Sequence, residues 1–417
     1  MKKLLNLLLV IAMVLCLVAC GGNDTPAADV EGGGEDTAEA AFKIGIVTGS
    51  VSQSEDDRRG AEAFAKEKGE DRVILATYPD NFGEELETTI QSIVNLAGDP
   101  DVKAIVVNQG VPGTNEAFRQ IREKRDDMLL LVGEDHNFPE CLETADVVLA
   151  NDFVARGYLM IKTAHDLGCD TFVHISFSRH LGYYTMQRRI ACMQAACEEF
   201  GMTFVSESAP DPSNGDVGTT GAQQYIQEHM EPWVEKYGQN AAFFCTNDAH
   251  TEPMLAGLLK YGGYFIEADL PSPLMGYPGA LGLDLTQEAG DFDAILKKVE
   301  AAVVDAGGAG RFGTWACSYG YTLSNGLARH AWNVLEGKSE IQNVKDITGA
   351  LKESSGLDWN AAGYVDEATG VKAPNGYTVY QDTYILGKGF MGVTDVEVPE
   401  KYFTLQPNAD LQNEAAY

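Results

Sequence analysis

Basic residues are scarce in this chain: 30 Lys and Arg stand against 62 Asp and Glu in 417 residues, a formal charge of −32. Such a surface repels a phosphate backbone, and nucleic-acid binding, which needs a basic face, is set aside. No apolar run reaches the ~18 residues of a comfortable membrane span. The eight Cys show no C-x-x-C spacing. G-x-S-x-G, H-E-x-x-H and G-x-x-x-x-G-K-[ST] are all missing, which leaves a hydrolase elbow, a zinc-protease helix and a phosphate loop without support. Apolar residues, at 45%, are plentiful. At ~100–200 residues per domain the chain has room for two or three domains, each with its own core.

The N-terminus has its own grammar. Lys2 and Lys3 precede an apolar run from Leu4 to Leu17, interrupted by Asn6, which closes on Leu17-Val18-Ala19-Cys20. A basic start, a short apolar stretch and a small residue before the cut are the parts of a secretory signal. The Leu-Val-Ala-Cys box resembles that of bacterial lipoproteins. The resemblance implies removal of residues 1–19, acylation of the Cys20 thiol and attachment to the outer face of the cytoplasmic membrane. An uncleaved anchor with an incidental Cys is the alternative. Cleavage takes away two Lys and no acid, moving the charge to −34. From residue 20 to 41 Gly, Ala, Asp, Glu and Thr dominate, a composition that cannot build a core and suits a flexible linker with a reach of ~25 Å.

From Phe42 onward short apolar runs alternate with helical patterns, as βα units require. The runs include Ile44–Val47, Val73–Thr77, Ala104–Val107, Met128–Val132, Val147–Ala150, Phe172–Ser176, Thr203–Val205, Ala241–Cys245 and Tyr264–Ile266. Most are continuously apolar, the mark of strands buried on both faces of a parallel sheet. Between them, Glu55–Lys68, Met186–Phe200, Ala222–Tyr237 and Asp291–Ala306 carry helical spacing; in the last, Phe292, Ile295, Leu296, Val299 and Val303 share a face. The spacing predicts an N-terminal α/β lobe over 42–151 and a C-terminal α/β lobe with hinge crossovers over 152–336. Residues 337–417 form a C-terminal extension whose placement the pattern leaves open, although Leu357–Gly363 and Asn375–Leu386 suit a strand or hairpin closing one lobe. Cys169 and Cys245 precede or lie within strand-like runs, and the Cys beyond residue 20 are expected to be buried thiols in place of disulfides.

Two segments carry a family likeness. Lys43-Ile44-Gly45-Ile46-Val47-Thr48-Gly49 resembles the opening strand of the type I periplasmic substrate-binding proteins, the group of ribose- and galactose-binding proteins and LacI-like ligand domains. Ala241-Ala242-Phe243-Phe244-Cys245-Thr246-Asn247-Asp248-Ala249 resembles their strand-then-Asn-Asp element. The resemblance covers most of residues 42–336 and implies two Rossmann-like lobes with parallel sheets joined by a hinge, a ligand held between them and no chemistry. The tail departs from the sugar binders, as in a separate lipoprotein branch.

Ligands of open α/β sheets bind beyond the carboxyl ends of the strands. The candidates there are Ser50, Ser52, Gln53, Asp80, Asn108, Gln109, Glu134, Asp135, Asn151 and Asp152 in the first lobe, and Ser178, Arg179, His180, Asn247, Asp248 and Tyr277 in the second. The resemblance makes Asp248 an acceptor for ligand hydroxyls; a helix N-cap by Asn247 or Asp248 is the plain structural reading. Turn chemistry is the same kind of reading for Asn108 and Gln109. Arg189 is a second match to the family's basic position, with Cys192 where Gly is usual. Acids outnumber bases among the candidates, which favours a neutral polar or a cationic ligand over an anion.

The expected function is a lipid-anchored monomer that captures a small sugar- or nucleoside-like ligand by hinge closure and delivers it to the permease of an ABC importer, without cofactor. A sensor for a membrane signalling partner is the alternative. A metal-dependent enzyme, with Asp248-x-His250-x-Glu252 as its cluster, ranks below both.

Overall fold

The computed structural model describes residues 42–51, 54–135, 140–213, 217–366 and 371–407. The signal segment, Cys20 and the linker lie outside the described residues, and so do Ser52 and Gln53. Among the described residues no helix is long and apolar enough to cross a membrane.

The first lobe grows from the doubly apolar runs. Strands β1 (Lys43–Thr48), β2 (Val73–Thr77), β3 (Val102–Gly110), β4 (Leu129–Asp135) and β5 (Val147–Asn151) pair in parallel. Alternate side chains feed two cores. Ile44, Ile46, Val106, Leu131 and Leu149 join one cluster with Phe64, Leu323 and Leu327. Val47, Ile105, Val107, Leu130, Val132 and Val148 join the other with Ile90, Ile93 and Phe118. The first cluster is capped by helices Glu55–Lys68 and Tyr319–Leu335, which pack on one another. Their close approach requires Gly60, where a Cβ would lie 2.3 Å from the Tyr321 carbonyl oxygen.

The second lobe holds β6 (Thr171–Ser176), β7 (Thr203–Ser208), β8 (Ala241–Cys245) and β9 (Tyr264–Phe265), all parallel in the order β7-β6-β8-β9. Ile226, Met230, Phe243, Leu255 and Val299 fill one side of this sheet, bringing in helices Gly218–Tyr237, Thr251–Tyr261 and Phe292–Asp305.

The remaining strands are β10 (Gly313–Trp315), β11 (Asn360–Asp366), β12 (Val371–Tyr380), β13 (Thr383–Ile385) and β14 (Gly389–Phe390). The first sheet has seven strands in the order β11-β12-β5-β4-β3-β1-β2, and β10-β13-β14 make a small sheet. The chain passes between lobes after β5, after β10 and after β12. This differs from the expected division at 336 and 337. Helix Tyr319–Leu335 belongs to the first lobe, because Leu323, Leu327 and Ala331 enter its core. The hairpin β11–β12 extends the first sheet, β12 running parallel to β5 and β11 antiparallel to β12. The segment after 337 is therefore a sheet edge and a third crossing, not an appendage.

One carboxylate gathers the crossings. Glu267, 2% exposed, accepts from Arg156 Nε at 2.7 Å, from Trp315 Nε1 at 3.0 Å and from Thr383 Oγ1 at 3.2 Å. Those three donors follow the first, precede the second and follow the third crossing respectively. Arg156 also donates to the Ala268 and Asp269 carbonyls, at 2.8 and 2.9 Å. Arg189, fully buried, reaches Asp269 Oδ1 at 2.5 Å. Cys141, Cys169, Cys192, Cys197, Cys245 and Cys317 are all free and buried.

Candidate functional site

Between the lobes lies a cavity of about 720 Å³, bounded by both. Its first-lobe floor begins at the start of helix Glu55–Lys68, where Glu55, Asp56 and Asp57 fill the first turn. Acids there complement the helix dipole, and each also makes a specific bond, Glu55 with Arg59 of its own helix. Ser54 does not cap the helix; its hydroxyl donates to Asp57 Oδ2 at 2.5 Å. Gln109 Nε2 donates to the same oxygen at 3.2 Å. Asp56 Oδ2 accepts from Ser272 Oγ of the second lobe at 2.8 Å, a polar link across the cleft.

The ends of β3 and β4 supply the rest of the floor. Asn108 is fully buried and donates its amide to the Gly320 carbonyl at 3.2 Å and to Ser324 Oγ at 2.8 Å. Gly320 permits this crowding, since a Cβ there would fall 2.0 Å from Asp57 Oδ1. Glu134 takes φ +43°, a left-handed backbone that a non-glycine residue seldom adopts and that recurs where a site imposes it. Its carboxylate accepts from the Tyr319 hydroxyl and from the Asn151 amide at 3.2 Å. Burial pushes both Asp57 and Glu134 up to about 7.

The second lobe contributes Asp248 just beyond β8. Asn247 performs the capping that sequence left open between the two, accepting from the Ala249 amide at 3.0 Å. Asp248 is left to face the cavity, with Oδ1 buried and without a hydrogen-bond partner. Burial, reinforced by nearby Asp269, pushes its carboxyl up to about 8. The same lobe adds apolar side chains: Leu274, Met275, Leu283 and Leu285 from the segment between β9 and helix Phe292–Asp305, with Asp284 and Thr286 among them, and Phe292 and Ile295 from that helix. Phe292 meets Tyr321 edge-on at 5.0 Å between ring centroids.

Of the sixteen ligand candidates, Asn108, Gln109, Glu134 and Asp248 meet around this cavity. The other described ones lie outside its lining. Ser50 Oγ donates to Asp80 Oδ1 at 2.5 Å on the loops beyond β1 and β2. Asp135 accepts from the Cys141 amide at 3.2 Å. Asp152 caps helix Phe153–Asp166 through the Ala155 amide and accepts from Thr378 Oγ1, both at 2.9 Å. Asn151 is buried with its side-chain amide unpartnered. Ser178 is exposed. Arg179 forms a forked pair with Asp211, at 2.7 and 3.0 Å. His180 is buried against the Phe177 ring with Nδ1 3.2 Å from Thr246 Oγ1. Tyr277, 1% exposed, donates its hydroxyl to the Gly313 carbonyl at 2.7 Å and belongs to the second core. His250 turns away from Asp248, with Nε2 3.1 Å from the Pro210 carbonyl. Among the described residues no group of three or more His, Cys, Asp or Glu could hold a metal ion.

Sequence reasoning missed Asp56, Asp57, Ser272, Tyr319 and the apolar segment beyond β9. The triple acid at a helix start was the available signal for the first two; Pro271-Ser272-Pro273 and the glycines after it resemble ordinary turn chemistry.

Two α/β lobes, parallel sheets, three crossings and a cleft at the strand ends define the type I periplasmic-binding-protein fold. The chain is similar in structure to a protein from Clostridium difficile 630 described as a candidate transcriptional regulator, with a TM-score of 0.73 at 22% identity over 82% of this chain and 99% of that one. A periplasmic ribose ABC transporter protein from Conexibacter woesei DSM 14684 is more distant, with a TM-score of 0.47 at 14% identity over 72% of this chain and 89% of that one. The chain belongs to the DUF3798 family, proteins of unknown function, whose model matches residues 42–313. A second family model matches residues 324–405. An uncharacterized protein of Treponema pallidum (strain Nichols) is 41% identical over 210 residues, half of this chain and 94% of that protein.

Proposed function

We propose that this chain is an extracytoplasmic solute receptor, held to the membrane by a lipid on Cys20, that captures a small polar molecule between its lobes and hands it to an ABC importer. The observation that carries the reading is the cavity itself: Asn108, Gln109 and Glu134 reach it from one lobe and Asp248 from the other, so a bound molecule touches both. A ligand that bridges two bodies favours their closed arrangement by its difference in affinity for the two states. The Asp56–Ser272 bond spans the same cleft and supports closure. The lobes need only bind and release, which agrees with a site built of hydrogen-bonding and apolar groups.

Mass spectrometry of small molecules released from the purified full chain, followed by X-ray scattering with and without the released compound, tests the reading. A single enriched compound that decreases the radius of gyration is expected. A chain that yields no compound and whose scattering is unchanged by a broad panel of metabolites overturns it.

A further inference from the structure

The cavity wall has an imbalance between donors and acceptors. Its side-chain donors are already engaged, mostly by the protein's own carboxylates. Ser54 and Gln109 donate to Asp57, and the Tyr319 hydroxyl donates to Glu134. On the other side of the cleft, Ser272 donates to Asp56 and Thr286 Oγ1 to Asp284 Oδ1, the latter at 2.5 Å. Arg59, the basic residue of the lining, divides its guanidinium between Glu55 and Glu62, with contacts of 2.8 to 3.3 Å.

Acceptors, by contrast, are in surplus. Two buried polar atoms of the lining have no hydrogen-bond partner, Asn108 Oδ1 and Asp248 Oδ1, and both are acceptors. The Asn108 orientation is fixed by its amide nitrogen bonding the Gly320 carbonyl, which cannot donate. Asn108 is 0% exposed and Glu134 9%. A buried acceptor left unpaired is costly, so a molecule that brings only donors gains more here than one that brings both. A polyol brings oxygens that also need donors. An anion would enter beside Asp57, Glu134 and Asp248, with Arg59 of the same lining already divided between Glu55 and Glu62. A bare metal ion lacks a ligand set among the described residues and leaves most of about 720 Å³ empty.

We infer that the ligand of this cleft is an organic cation, its ammonium or guanidinium group held among Asp57, Glu134 and Asp248 and its carbon body lying on Leu274, Leu283 and Leu285. This rests on the solute-capture reading and names the chemical class that reading leaves open. A cation with several N–H groups gives Asp248 Oδ1 a donor and supplies the charge that the enclosed carboxylates lack, while Asn108 Oδ1 stays packed against Gly133. The leucines account for the carbon body of the molecule, and Asp284, bonded by Thr286, lies among them.

The test is thermal denaturation and calorimetry of the full chain with agmatine, choline and phenethylamine against ribose, myo-inositol and inosine, at ionic strength matched with sodium chloride. At least one cation is expected to bind saturably and raise the melting temperature where the neutral compounds do not. Asp248→Asn, which keeps size and one acceptor, is expected to weaken that cation at least tenfold; Glu134→Gln serves as the second variant. Saturable binding of a neutral compound, changed less than twofold by Asp248→Asn, overturns the cation inference and leaves solute capture standing. Absence of binding by every probe, together with no co-purifying small molecule, overturns both.

Discussion

At the scale of single residues, the cleft keeps several carboxyls in an expensive state. Asp57 and Glu134 titrate near 7 and Asp248 near 8 because burial disfavours their ionised forms. Each binds its proton more tightly folded than unfolded, so each contributes stability that is complete below an unfolded carboxyl's ~4 and lost as pH rises through the folded value. The buried histidines act in the opposite sense. His174 and His180, pushed down by burial to about 3 and about 4, add stability as pH rises toward the unfolded histidine's ~6.5 and are silent above it. The buried thiols are raised, which matters only near and above an unfolded thiol's ~8.5. Between about pH 6.5 and 8 the acids alone remain, and ligand-free stability is expected to fall by up to ~1.4 kcal/mol per pH unit for each group still titrating. Urea unfolding at several pH values reads this directly. Asp248→Asn is expected to flatten the upper half of the slope, and a wild-type stability independent of pH over that window contradicts the assignment.

At the scale of elements, the hinge depends on Arg156 and Glu267, both 2% exposed. Removing one member of such a pair leaves a buried charge without its partner and costs ~3–5 kcal/mol, whereas replacing both with packed apolar groups costs far less. Arg156→Ala is expected to lose that amount in urea unfolding, and the double change Arg156→Met with Glu267→Leu to recover much of it. Equal losses in single and double variants count against the pairing.

The strands of both lobes were legible because burial on two faces leaves continuous apolar runs, as in Ala104–Val107 and Ala241–Cys245. Helix Glu55–Lys68 was legible to the residue. The β11–β12 hairpin was legible only as a suspicion, since β11 is an edge strand covered on fewer sides and Asn375 and Gly376 break the apolar pattern of β12. The rule that ligands sit at strand ends located the right end of each sheet, but it does not say which way a side chain turns. Arg179 and His180 stand at such an end and turn to Asp211 and Thr246, while Asp248, at the next strand, faces the cavity. Asp57 was hidden because an acid in the first turn of a helix already has a sufficient local explanation.

At the scale of the whole molecule, the acidic body and the proposed lipid at Cys20 work together. On the proposed reading, removal of residues 1–19 brings the charge from −32 to −34, which keeps an acidic body off anionic headgroups and leaves contact to the proposed lipid. Cys20→Ser is expected to leave the protein unacylated and to move it from the membrane fraction to the soluble or unprocessed pool, read by fractionation and intact-mass measurement. Retention of a lipid-sized mass increment in that variant contradicts the assignment.

The first lobe is begun by the start of the chain and finished by its end, because β12 pairs with β5 from more than 200 positions away. A polypeptide emerging N-terminus first cannot complete its opening sheet until Tyr380 has arrived.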